Sequence, residues 1–495
     1  MTIDLHAFAP IARKIVIWAL PGVLASVAYI RIGKSPPIAD DWDSIGRIAQ
    51  SVREGELFPS AFQPYASHWS PIHVIVSGFA ILLDPDHNGL YAIRTLNAAG
   101  LTLGLTAFLW LALQMRLKPY AVAGGLTILV FHQGIIGIEA QWDSIGPMWG
   151  DAFGRWAVAL TLSAFWTGQE VSRRSATAIA LLLLAALASK ETSAAYMSSV
   201  ACVVAGIVAE KGVSAFRERG VLRFTVALVG TSIAFLIARQ ASGGAVSLGP
   251  ESRYTIGTPL MWLENAALLG VALLSPMGTL DIFDAWVLRD NETAKSTGVL
   301  TLAFAALVLF VVSVGVGVRS YLRDFPQRRR AVLGLLLAVP AAWFPVVLMR
   351  HVSELYIGQS VFWVAVLVGF GLQGVAWRRY TWASIGITVA LAVHVVGWER
   401  KRLCLAESGE YEARALSEIT QALQALPPGA IVYVEDTSPP PDRPLYSVYR
   451  SRAAKTALLA ARLADGVVLR EKSEAGFILR YDVTKTPSAE IVLAP

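Results

Sequence analysis

The chain has 495 residues, 55% of them hydrophobic and only 16% charged, with a mean hydropathy of +0.53, whereas a soluble domain carries about 25% charged residues. The formal net charge of +6 does not mark a nucleic-acid binder, because Lys and Arg fall in short clusters between apolar runs, as membrane orientation signals do. Two cysteines, Cys202 and Cys404, build no disulfide framework, and the short alternating strands of a membrane barrel are absent.

Taken in chain order, Arg13 and Lys14 precede an apolar run from Ile15 to Ile30 with no small-residue cleavage site, which reads as a first membrane helix rather than a signal peptide. Further runs centre on residues 91–115, 120–137, 154–169, 175–189, 193–209, 222–239, 298–318, 331–349, 358–376 and 381–398. These are about eleven stretches, each long enough to cross or nearly cross a hydrocarbon core about 30 Å thick, and such crossings must be helical. With a cytoplasmic N-terminus, the basic clusters at 116–118, 173–174, 211–223, 319–330 and 378–379 all fall inside, and residues 399–495 fall outside. Pro71–Leu83 is too short to span and reads as a helix lying on the outer face; Pro259–Leu274 reads as interfacial or re-entrant.

Beyond the last run, Leu416, Ile419, Leu423 and Leu426 keep helical spacing up to Pro427-Pro428-Gly429. Residues 431–435, 467–470, 477–481 and 491–493 read as short strands, and 451–464 is helix-like. The expected fold class is therefore an all-α polytopic membrane domain over residues 1–400, with a first outer loop at about 32–90, and a small soluble α/β domain over 401–495.

The outer loops hold the chemistry-bearing residues. Asp40-Asp41-Trp42-Asp43 places three carboxylates within four positions. This is either a solvated acidic loop or helix cap, or a general base or metal site. Tyr65–Ile72 carries His68 and Trp69, which are interfacial anchors or ligands. Arg94 opens the second crossing, where it either snorkels or holds a phosphate. Glu139 and Asp143 follow the third crossing, Lys190-Glu191 sits between the fifth and sixth as an ion pair, and Glu354 and Tyr356 precede the tenth. Arg253 joins the candidate donor- or acceptor-binding residues. Ionisable groups so close to lipid are functional candidates or structural glue. There is no P-loop, no dinucleotide fingerprint, no His-Glu-x-x-His and no zinc-spaced cysteine cluster, and the sequon at Asn291 is of a kind that arises by chance.

The order of these motifs resembles the GT-C glycosyltransferases, over about residues 10–400, and within them the protein O-mannosyltransferases and the tetratricopeptide-containing mannosyltransferases. The acidic pair of the family's first outer loop matches Asp40-Asp41, the His/Pro stretch before the juxtamembrane helix resembles His68–Ile72, and the arginine of the second crossing matches Arg94. A Glu-Ala-x-x-Trp-like segment resembles Glu139–Trp142, Ser-Lys-Glu matches Ser189–Glu191, and a Glu-x-x-Tyr-like motif resembles Glu354–Tyr356. Leu355 stands where an arginine is usual, and an α/β tail replaces a tetratricopeptide array.

The resemblance implies a GT-C fold and sugar transfer from a polyprenyl-phosphate donor at the outer face, with Asp40 or Asp41 as general base. It implies no cofactor; a divalent metal is compatible but not required. The acceptor, whether protein, lipid or glycan, is left open, and a bacterial inner membrane with a periplasmic tail is the expected location. A transporter would instead need inverted repeats and midplane charges, and an O-antigen polymerase or ligase would concentrate arginines in a late loop.

Overall fold

The computed structural model describes residues 5–33, 37, 40–64, 69–243, 256–278, 293–349, 354–375, 381–437, 467–469, 474–482 and 489–493. For some of these, Asp40, Asp43 and Glu354 included, only the backbone is described. His68, Arg253 and the expected helix at 451–464 lie outside the described residues.

Helix α1 (Leu5–Ile32) leads to the shorter helices α2 (Asp40–Arg53), α3 (Leu57–Ala61) and α4 (Pro71–Leu83). Proline at the first position and Asp84-Pro85 just past the last bound α4 where the sequence placed it. Its buried face, with Val74 and Ile81, packs on Ile45, Ile48, Leu57 and Trp142 in a small core of its own. The chain then reverses through Asn88 and Gly89, both left-handed, and a side chain on Gly89 would press on the Ala80 and Ile81 backbone.

The bundle follows: α5 (Leu90–Gln114), α6 (Pro119–Phe131), α7 (Ile136–Ala140), α8 (Ile145–Thr167), α9 (Arg173–Ser189), α10 (Ala194–Glu210), α11 (Arg219–Ala241), α12 (Pro259–Leu274), α13 (Thr293–Asp324), α14 (Arg329–Ala341), α15 (Phe344–Val347), α16 (Gly358–Gly374) and α17 (Thr381–Gln424). Helix α16 is buried nearly all round and packs on α6, α13 and α14. Small residues set the closest approach: a Cβ on Gly374 would overlap the Gly317 carbonyl, and one on Gly317 would overlap that of Gly371.

This is an integral membrane protein by its apolar helices. Five described helical stretches are long and apolar enough to cross: Leu90–Gln114, Glu191–Glu210, Arg219–Ala241, Leu300–Asp324 and Thr381–Glu407. Five more apolar helices have 10–17 residues. Helices of full crossing length among the described residues thus do not add up to about eleven. One reason is that two apolar runs are broken: residues 120–137 divide into α6 and α7 at His132, and 331–349 into α14 and α15 beyond Pro340.

Helix α17 runs 44 residues without interruption, from the bundle into the tail. There β1 (Ile431–Asp436), β2 (Val468–Leu469), β3 (Phe477–Tyr481) and β4 (Ala489–Leu493) form a sheet of order β2-β1-β3-β4. The β1 strand is parallel to β2 and β3, and β4 is antiparallel to β3. Ile419 and Leu423 of α17 pack on Val432 and Leu479 of this sheet.

Candidate functional site

Asp40 and Asp41 begin α2, so the acidic pair lies on a helix rather than on an extended loop. Consecutive positions on a helix are about 100° apart around its axis. Asp41 is 1% exposed, and its Oδ1 accepts a hydrogen bond from the Asp143 backbone N–H at 2.9 Å. The acidic first loop is thereby fastened to the turn Trp142–Ser144, whose Trp142 indole donates to the Asn88 carbonyl at 3.2 Å.

Arg94, one turn into α5, is also buried, at 8% exposure, and its Nη1 donates to the Glu139 backbone carbonyl at 3.2 Å. The Asp41 carboxylate and Tyr29 of α1 both act electrostatically on its guanidinium. Asp41, Arg94, Glu139 and Asp143, scattered over about a hundred residues of sequence, meet in one junction where α1, α2, α5 and α7 converge. The Tyr29 hydroxyl is buried there with no hydrogen-bond partner among the described residues.

Glu139 is wholly buried. Its Oε2 accepts from the Trp398 indole N–H at 2.8 Å, and its Oε1 has no partner among the described residues. Burial pushes its carboxyl up to about 8, outweighing the Trp398 hydrogen bond and the Arg155 charge, which pull the other way. Glu139 is therefore mostly a neutral acid at pH 7, and it is its carbonyl, not its carboxyl, that Arg94 binds.

A second group lies across the start of α8. Glu191 forms no pair with its neighbour Lys190; its Oε1 meets Arg239 Nε at 3.2 Å and accepts the Trp69 backbone N–H at 3.1 Å. The Lys190 charge acts instead on His73 of α4, whose imidazole burial first, and Lys190 second, depress to about 3. Gly146 of α8 lets Ser189 and His73 approach: a Cβ there would lie 2.6 Å from the Ser189 carbonyl and 3.2 Å from His73. Tyr356 sits half-buried in a 3-10 turn, Glu354–Ile357, at the head of α16.

Sequence reasoning missed a third group, inside the bundle. Arg155 Nη2 donates to Asp151 Oδ2 at 3.2 Å, Arg155 Nε to the Tyr196 hydroxyl at 3.4 Å, and Gln359 Nε2 to Asp151 Oδ1 at 3.1 Å. The signal was available: an Asp and an Arg four apart within an apolar run face the same way on a helix. Among the described residues no group of three or more His, Cys, Asp or Glu side chains is placed to hold a metal ion.

No family model matches the chain, and no curated protein does. Among solved structures, it is similar to the Archaeoglobus fulgidus oligosaccharyltransferase in complex with zinc and sulfate, at 11% identity and a TM-score of 0.47, over 93% of this chain and 68% of that one. For the same protein tethered to an acceptor peptide the identity is 12% and the TM-score 0.46, over 92% and 64%. For its apo form they are 12% and 0.45, over 93% and 65%. The chain thus spans about two thirds of the length of each.

Proposed function

We propose that the chain is a glycosyltransferase of GT-C type that moves a sugar from a polyprenyl-phosphate donor to an acceptor at the outer membrane face. The observation that carries this reading is the junction in which Asp41, at the start of α2, holds the Asp143 amide within electrostatic reach of Arg94, itself bound to the Glu139 carbonyl. An isoprenoid donor arrives within the bilayer, so a site at the level where α1 ends and α5 begins needs no nucleotide fold. In the transfer, an acceptor hydroxyl oxygen attacks the anomeric carbon and an aspartate takes its proton. The bond from that carbon to the phosphate oxygen breaks, its electron pair leaving with the polyprenyl phosphate. Arg94 stabilises the charge that gathers on that phosphate.

The two aspartates divide the work. Asp41 is occupied in holding the Asp143 amide and acts as a positioning residue, which leaves Asp40 as the proposed base. Asp40→Asn keeps shape and hydrogen-bonding capacity, and should lower turnover by about 10²–10⁴-fold with normal expression. Asp41→Asn retains an acceptor oxygen for Asp143 and should cost less. Transfer from radiolabelled polyprenyl-phosphate sugar in isolated membranes measures both; near-wild-type rates in both variants would put the base elsewhere.

A further inference from the structure

At the end of the bundle remote from Asp41 and Arg94, a cavity of about 620 Å³ opens between the C-terminal ends of α8 and α10 and the turn joining α13 to α14. Four cations border it, Lys211, Arg328, Arg329 and Arg330, against one carboxylate, Glu210, which accepts the Ala331 backbone N–H at 2.9 Å. Arg328 lies over the Trp166 ring at 4.2 Å and donates to the Trp166 carbonyl at 3.2 Å, while Arg330 donates to the Ala209 carbonyl. Lys211 has Glu218 at 3.8 Å, but neither Arg329 nor Arg330 is in an ion pair among the described residues.

Two further observations say what such a site would take. Helix α8 has 23 residues, about 35 Å of helix, and starts beside Asp143, so the cavity lies a bilayer core away from the junction, at the opposite interface. Running away from it along α14, Leu333, Leu336 and Leu337 are all at least half exposed. They follow Arg329 and Arg330 at helical spacing, so the two guanidiniums head a stripe of bare leucine. A cationic cavity capping an apolar stripe at an interface fits an anion that brings its own acyl chain.

We propose that this cavity binds the phosphate headgroup of an anionic phospholipid from the leaflet opposite the candidate site, with the acyl chains lying along Leu333, Leu336 and Leu337. The proposal is independent of the transfer reaction. It is tested on the detergent-purified full chain by thermal shift with added phosphatidylglycerol, phosphatidylcholine or inorganic phosphate. Phosphatidylglycerol should raise the unfolding midpoint and phosphatidylcholine should not. Arg329→Gln combined with Arg330→Gln should raise the half-saturating phosphatidylglycerol concentration at least about tenfold, since each cation near an anionic lipid surface contributes comparably. Because Arg330 also holds the Ala209 carbonyl, the pair Lys211→Gln with Arg329→Gln serves as a second variant that leaves that contact intact. Equal shifts with both lipids, or unchanged dependence in the second variant, overturn the proposal. An equal shift from inorganic phosphate alone overturns the lipid in favour of a soluble anion.

Discussion

Glu139 is the residue whose surroundings say most about its state. Its carboxyl is shut away from water between α7 and α17, and protonation removes the cost of burying its charge. In the unfolded chain the group titrates near 4.5; in the fold it titrates near 8. Between those values the folded chain holds a proton that the unfolded chain has lost. The stabilisation is fully present below pH 4.5 and is lost as pH rises through 8. Glu139→Gln keeps an acceptor for the Trp398 indole and removes the titration. The thermal midpoint of the variant should therefore gain on the wild type as pH is raised over this window. Parallel midpoint curves in the two proteins would mean that Glu139 is ionised in the fold after all.

Among the elements, the contact between α13 and α16 depends most on a missing side chain. Gly317, Gly371 and Gly374 let the two backbones touch, and a side chain at Gly374 would meet the Gly317 carbonyl and the Tyr321 backbone, neither of which can swing aside. Gly374→Val should therefore force the helices apart and lower the thermal midpoint, whereas Gly315→Val, which faces open space, should leave it within error. Equal losses at both positions would refer the effect to helix propensity alone. The two glycines look alike in the sequence, because which of them meets another helix is a matter of tertiary packing. Helix α4, by contrast, was legible because local signals at both ends bound it, and the four strands because short apolar runs stand between turn residues. The continuity of α17 was hidden: charged residues beyond Trp398 end the apolar run, yet Glu, Arg, Ala and Leu are good helix formers and carry the helix on. At the candidate site the sequence supplied Asp41, Arg94, Glu139 and Asp143. It did not supply the Glu191–Arg239 pair, whose members lie 48 residues apart on α11 and the turn before α10 and carry no local signal of each other.

For the molecule as a whole, α8 and α10 fix which surfaces share a side. Helix α8 begins beside Asp143 of the junction and α10 beside Glu191 of the second group, and both end at the cavity near Lys211 and Arg328. Helix α17 joins the junction through Trp398 and continues into the tail, where Leu416 packs on the core of α2 and α4. Helices α2 and α4 and the tail therefore belong to one face, and the turn between α13 and α14 to the other. We propose that second face as the cytoplasmic one, because the Arg323–Arg330 segment is dense in arginine. With Cys202 and Cys404 replaced by serine, single cysteines at the exposed positions Gln63, Ser417 and Gln327 report on this arrangement. In intact spheroplasts a membrane-impermeant maleimide should label the first two at comparable rates and leave the third unlabelled until the membrane is permeabilised. Labelling of Gln63 without Ser417 would separate the tail from the outer face. Labelling of Gln327 alone would invert the protein, placing Asp41 and Arg94 on the cytoplasmic side and removing the basis for an outward-facing donor site.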